Sequence, residues 1–164
     1  FARASRVIDL ARLVALAAGF KVGVVSRDEK ENGERAILNF GHTVAHAIES
    51  AKRYRISHGT AVGIGMKIIA LLCGMTGRIR GDEVHTILGI IDAYGIAPRT
   101  ALPPADRLLE HMKYDKKNVS GSIRFVLLEG LFRPIYNVCA DADDVRRAIR
   151  EYEGRGGYGS ELQR

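Results

Sequence analysis

Arg35, Asn39, His42, His46 and Glu49 recur at intervals of four, three, four and three residues within GERAILNFGHTVAHAIES, among Ala, Ile, Leu, Phe and Val. At about 100° per residue, a continuous helix would gather these side chains within roughly 80° of one face. A helix with apolar flanks buries such a stripe. A guanidinium, an amide, two imidazoles and a carboxylate are costly to bury unless something satisfies them. The stripe therefore predicts the wall of a polar site. The histidines of His42-x-x-x-His46, one helical turn apart, can present two imidazoles to one metal ion. Twelve residues past His46, His58-Gly59 opens the next predicted helix and adds a third imidazole. A helix N-terminus favours the neutral ring that metals bind. The zinc-protease pattern is absent, because Thr43 and Ala45 stand between the histidines and neither is its glutamate. The competing reading keeps His42 and His46 as core histidines hydrogen-bonded to backbone.

Elements must hold these groups in place, and the chain reads as mainly α with one small β-hairpin. An amphipathic segment runs from about Ser5 to Val25, with Val7, Ile8, Leu10, Ala11, Leu13, Val14 and Leu16 on its apolar face. After the charged knot SRDEKENGE, a second helix is predicted from Gly33 to about Lys52, followed by the basic loop KRYRIS. Ser57 is a good N-cap for a third helix from His58 to about Gly74. A fourth spans about Gly81 to Tyr94 and stops at Gly95, and a fifth covers about Pro104 to Tyr114. IRFVLL and RPIYNVC, joined by EGLF, read as the hairpin. Asp141 or Asp143 caps a last helix to about Tyr152, and GRGGYGSELQR reads as a frayed tail. We expect one domain over residues 1–154 and a flexible tail over 155–164.

A chain of 164 residues with 46% hydrophobic and 27% charged content is ordinary for a soluble domain with a real core. No segment is expected to span a membrane, since AVGIGMKIIALLCGM is broken by Lys67 and by glycines, and FARASRVIDLARLV has no signal-peptide organisation. Phe1 is not an initiator residue, so a fragment or processed piece is expected. Cys73 and Cys139, in apolar settings, predict buried reduced thiols and a cytoplasmic protein. The formal charge of +6 comes from scattered basic residues without aromatic interleaving. That pattern argues against nucleic acid and suits a small anionic substrate.

Lys21 to Glu49, as K-x-x-V-V-x-x-D-E-x-E-x-G-x-R-x-x-L-N-F-G-H-T-x-x-H-A-x-E, is followed by H-G-x-A-V-x-I-G-M at His58 to Met66 and by D-K-K at Asp115 to Lys117. Together these closely resemble the 3-dehydroquinate synthase family, in the right order over about Lys21 to Val138. The resemblance implies that family's helical C-terminal domain. It also implies zinc or another divalent metal held by His42 and His58, with His46 contacting substrate and assisting proton transfer. Lys21, Arg35, Asn39 and Lys116 match positions that hold substrate carboxylate, phosphate and hydroxyl oxygens, and Glu31 matches an acidic residue of the site. Lys21, Arg35, Asn39 and His46 are the expected catalytic group. Glu49 receives no chemistry from the family, and a cap or salt bridge near the loop is its expected role.

The family's third metal ligand, a glutamate, and its NAD-binding α/β domain have no counterpart in the matched stretch, and no glycine-rich fingerprint is present. The implied partners are therefore an anionic sugar phosphate and an NAD-binding domain, with a homodimer consistent with the resemblance. The implied reaction oxidises a ring alcohol with NAD, eliminates phosphate, restores the alcohol and closes a carbocycle. The chain alone is expected to be inactive. Three positions depart from the pattern: Thr60 stands where Glu is usual, and Ala45 and Phe132 where Gly is usual. The rivals are another sugar-phosphate cyclase, making deoxy-inosose or valiolone rings, and a non-catalytic helical partner domain. Lys21, Arg35 and Lys116 favour a carboxylated substrate over the first rival.

Overall fold

The computed structural model describes residues 10–30, 33–113 and 123–155. Its elements are helix α1 (Leu10–Arg27), a 3-10 helix (Glu34–Asn39), α2 (His42–Ala51), α3 (His58–Met75), α4 (Gly81–Ala93) and α5 (Ala105–Lys113). Strands β1 (Arg124–Leu128) and β2 (Pro134–Cys139) follow, and α6 (Ala142–Gly154) ends the described chain. The mainly helical class with one hairpin is thus as expected. The tail beyond residue 155, the D-K-K segment and Glu31 lie outside the described residues.

Helix α3 is the axis of the core and packs against α2, α4, α6 and β1. Because neighbours cover nearly every side, its residues are apolar all round rather than on one stripe, and Ile64, Ile68 and Leu72 are fully buried. Each such aliphatic side chain contributes about 1.5–3 kcal/mol by leaving water. This corrects the expectation that nothing here is long and apolar enough to cross a membrane. The 18 residues of α3, with mean hydropathy 1.4, pass that test, and 61% of them are buried inside the protein. Lys67 does not interrupt the apolar run at the surface. Its side chain is buried and paired with Asp92 of α4.

The local stop and start signals act as the residue types require. Ser57 caps α3, and Asp141 caps α6 by accepting from the Asp143 amide at 2.7 Å. Gly95, in the left-handed region at φ +63, follows α4. The predicted helix from Gly33 to Lys52 is instead two elements. Gly41 sits at φ +82, and a Cβ there would meet the Met66 backbone nitrogen at 2.6 Å, so the chain must turn where α3 comes closest. Helix α1 also departs from expectation, because among its described side chains only Val24 is buried. Leu13, Val14, Leu16, Phe20 and Val22 are exposed.

Strands β1 and β2 pair antiparallel, with Phe125 opposite Val138 and Leu127 opposite Ile135. The irregularity between them carries Asn137 at φ +62, a bulge that suits asparagine. Phe125, Val126, Leu127 and Leu128 are all buried, so both faces of β1 are covered, whereas every residue of β2 is exposed or half-buried. Cys139 at its end is therefore exposed, contrary to the expectation of two buried thiols. Cys73 is buried, accepts from the Leu128 amide at 3.3 Å, and has its thiol pushed up by burial. Glu83 of α4 accepts from the amides of Arg80 and Leu131, each at 2.8 Å, and so ties the hairpin turn to the helix. These two hydrogen bonds hold its carboxyl below the usual range.

Phe132, next in that turn, has φ +60 and is 69% exposed, a backbone conformation that glycine adopts without strain. Phe132→Gly is expected to raise stability by about 1 kcal/mol, the left-handed strain relieved less the added chain entropy of glycine. An unchanged or lower urea midpoint at constant m-value would contradict this.

Candidate metal and substrate site

The site is built where α2 and α3 meet backbone to backbone. A Cβ added at Gly65 would lie 2.1 Å from the Gly41 carbonyl oxygen, so only glycine permits this approach. Gly41 is the N-cap of α2, and His42 and His58 are the first residues of α2 and α3. The Ser57 hydroxyl accepts from the Thr60 amide at 3.3 Å and donates to the Thr60 hydroxyl at 2.8 Å, so Thr60 engages the cap through its own side chain. Ala45, the other departure next to the histidines, is fully buried on α2.

Three imidazoles converge from these two helices. Ring centroids are 5.3 Å apart for His42 and His58, 5.8 Å for His42 and His46, and 6.3 Å for His46 and His58. Two rings on one tetrahedral zinc, with Zn–N of about 2.0–2.1 Å, have centroids about 5 Å apart. The His42–His58 separation is nearest to that value. His42 Nδ1 lies 3.4 Å from the Phe40 carbonyl, and His58 Nδ1 lies 3.2 Å from Glu49 Oε1. If Nδ1 carries the proton in each, Nε2 is left to coordinate, the usual division of labour in ligating histidines. Burial pushes the His42 ring below the ordinary histidine range, which favours the neutral, ligating form.

Among the described residues no group of three or more His, Cys, Asp or Glu could by itself hold a metal ion. His42 and His58 fit two ligand positions of a divalent metal, the others being filled by water or by groups from elsewhere.

The single-face stripe predicted from the sequence does not form. Arg35 and Asn39 lie on the 3-10 helix, whereas His42, His46 and Glu49 lie on α2 beyond the turn at Gly41. Arg35 donates from Nη1 to the Glu29 carbonyl at 2.7 Å, and Asn39 is half-buried at the end of its element. Lys21 is exposed on α1, and His46 is exposed on α2. Glu31 and Lys116 lie outside the described residues. Glu49 is the hydrogen-bonding partner of His58, its side chain 12% exposed against 57% for the imidazole.

Sequence reasoning gave Asp28 no task. Its Oδ2 accepts from the amides of Gly33 at 2.8 Å and Arg35 at 3.0 Å, tying the end of α1 to the start of the 3-10 helix. An aspartate shortly before a glycine, in a charged loop, was the available signal. Arg27 then grips Glu34 with two hydrogen bonds, Nε to Oε2 at 2.9 Å and Nη2 to Oε1 at 2.7 Å, joining α1 to that helix. Thr43 donates to the Arg124 carbonyl at 3.1 Å, and Ser50 pairs with His111 at 2.9 Å, so α2 is also tied to β1 and α5.

Comparison with known proteins finds relatives over most of the chain. The chain is 43% identical over 143 residues to a 3-dehydroquinate synthase of Leptospira interrogans, covering 87% of this chain and 39% of that protein. It is 44% identical over 128 residues to one of Mycobacterium leprae, covering 76% and 35%. The chain thus spans well under half the length of these relatives. A 2-deoxy-scyllo-inosose synthase solved with carbaglucose-6-phosphate, NAD+ and Co2+ superposes with TM-score 0.71 at 24% identity, over 84% of this chain and 39% of that one. A 2-epi-5-epi-valiolone synthase from Streptomyces hygroscopicus subsp. jinggangensis, with NAD+ and Zn2+ bound, gives 0.76 at 17% identity, over 88% and 40%. At these identities the two structures speak for the fold alone. The family described as 3-dehydroquinate synthase C-terminal matches residues 2–118, most of the chain, and the chain therefore belongs to that family.

Proposed function

We propose that the chain is the metal- and substrate-binding part of a 3-dehydroquinate synthase, which converts 3-deoxy-arabino-heptulosonate 7-phosphate to 3-dehydroquinate and phosphate. The observation that carries this reading is the His42–His58 pair, 5.3 Å between ring centroids with each Nδ1 near an acceptor, inside a family-specific stretch. His42 and His58 would hold Zn2+ or another divalent ion, with the remaining ligand outside this chain. When bound, the metal supplies Lewis acidity to a substrate oxygen and NAD, held mainly by an N-terminal domain of the longer polypeptide, supplies hydride chemistry.

The chain's own side chains do the rest. His46, exposed beside the pair, contacts substrate and moves a proton. Lys21, Arg35, Asn39 and Lys116 bind the anionic and hydroxyl oxygens, and Glu31 is the acidic member of the set. The higher identity to the 3-dehydroquinate synthases than to the inosose or valiolone synthases supports the heptulosonate substrate. Two free cysteines accord with a cytoplasmic setting.

Zinc titration of the chain tests the assignment directly. His42→Ala and His58→Ala are each expected to abolish measurable binding, whereas His46→Ala retains it. Loss with His46→Ala and retention with His58→Ala would reverse the ligand assignment. The chain alone, given zinc and NAD, is expected to show no turnover. A longer polypeptide that contains it and consumes a heptulose phosphate, but not the heptulosonate, would rule out the proposed substrate.

A further inference from the structure

We infer that Glu49 is a positioning residue for His58: its carboxylate holds the imidazole Nδ1–H and so leaves Nε2 to meet a metal ion opposite His42. This rests on the metal reading above.

Three features carry it. The contact crosses elements, from the last turn of α2 to the first residue of α3, with Oε1 and Nδ1 at 3.2 Å. The two exposures are unequal. An exposed histidine with 57% of its side chain open has little of its own to fix its ring, while a carboxylate only 12% exposed is held in place by α2. The geometry also has a consequence. A neutral imidazole in water favours the proton on Nε2, the nitrogen that must be bare to ligate. A carboxylate at Nδ1 reverses that preference and restricts rotation of the ring. Glu49 lies seven residues, close to two helical turns, after His42, so one face of α2 carries both a candidate ligand and the group that orients the other.

The test is made on the 164-residue chain with two readouts. Long-range nitrogen–proton NMR of the metal-free chain, at a pH where the ring is neutral, reads the His58 tautomer. Zn2+ titration reads affinity. The expected wild-type tautomer carries the proton on Nδ1. Glu49→Ala is expected to shift it to Nε2 and to weaken Zn2+ binding by about 10- to 100-fold. Glu49→Gln keeps a side-chain acceptor, so it should retain the Nδ1–H tautomer and lose less affinity than alanine. A purely structural role would leave the tautomer unmoved.

A wild-type ring protonated on Nε2, or Glu49→Ala with unchanged affinity, would overturn the inference. If wild-type chain and variants alike bind no zinc, the metal reading itself has failed and takes the inference with it. That result is distinguishable because it appears before any variant is compared.

Discussion

Gly65→Ala is expected to destabilise the chain by about 3 kcal/mol or more and to abolish zinc binding with both histidines still present. The added methyl would sit 2.1 Å from the Gly41 carbonyl oxygen and 3.3 Å from the Ala45 nitrogen. These obstacles are backbone atoms, so no side chain can rotate aside. Either α2 moves away from α3 or the carbonyl turns out of its hydrogen bond to the Ala45 amide, which is 3.0 Å long. Both responses separate His42 from His58. Gly89→Ala supplies the control, because nothing lies within 4 Å of a Cβ there and the position is inside α4. That change should stabilise by about 0.5–1 kcal/mol through helix propensity. Urea melts of the two variants are expected to shift in opposite directions. A Gly65→Ala chain as stable as wild type, with zinc affinity intact, would refute the proposed packing of the site.

Asp92→Ala is expected to cost about 3–5 kcal/mol, the penalty for leaving an ammonium group buried without its counter-charge. Lys67 is 2% exposed and its ammonium is paired with the Asp92 carboxylate, which is 25% exposed and can still reach water. The loss should therefore be asymmetric. Lys67→Met removes the buried charge and fills the space with an unbranched apolar chain, so it should cost appreciably less than Asp92→Ala. The double variant should recover most of the single-variant loss, because neither charge then remains. The Tyr152 hydroxyl of α6 is pushed up, first by burial and then by the Asp92 charge, so the pair lies within reach of a third helix. Equal costs for the two single changes, with simple additivity in the double, would show that the pair is not coupled.

Both expectations depend on residues whose roles are differently visible in the chain. The cap at Ser57, a cap at Asp141 or Asp143, the stop at Gly95 and the two β-rich runs of the hairpin are local: each follows from the conformational preferences of a few neighbouring residues. They could be read directly, and the structure has them where the residue types place them. Gly41 shows the limit. As a residue in an amphipathic run it reads as helical interior, yet it adopts the left-handed region because Gly65 and Met66, more than twenty positions away, come into contact with it. The stripe that suggested a site was therefore correct in composition and wrong in geometry. Burial on one helical face could not be inferred across a turn that only α3 imposes.

By itself the sequence determined the helical class with its one hairpin, the start of α3 at Ser57 and His58, and the composition of the polar stripe together with a third histidine, since periodicity and capping are short-range properties of the chain. Tertiary structure alone decided which imidazoles approach to 5.3 Å, which carboxylate reaches His58, and that the apolar helix α3 is a core element holding a paired lysine. Those outcomes depend on distances between segments remote in sequence, set by how closely glycines allow two backbones to approach and by the cost of an uncompensated buried charge.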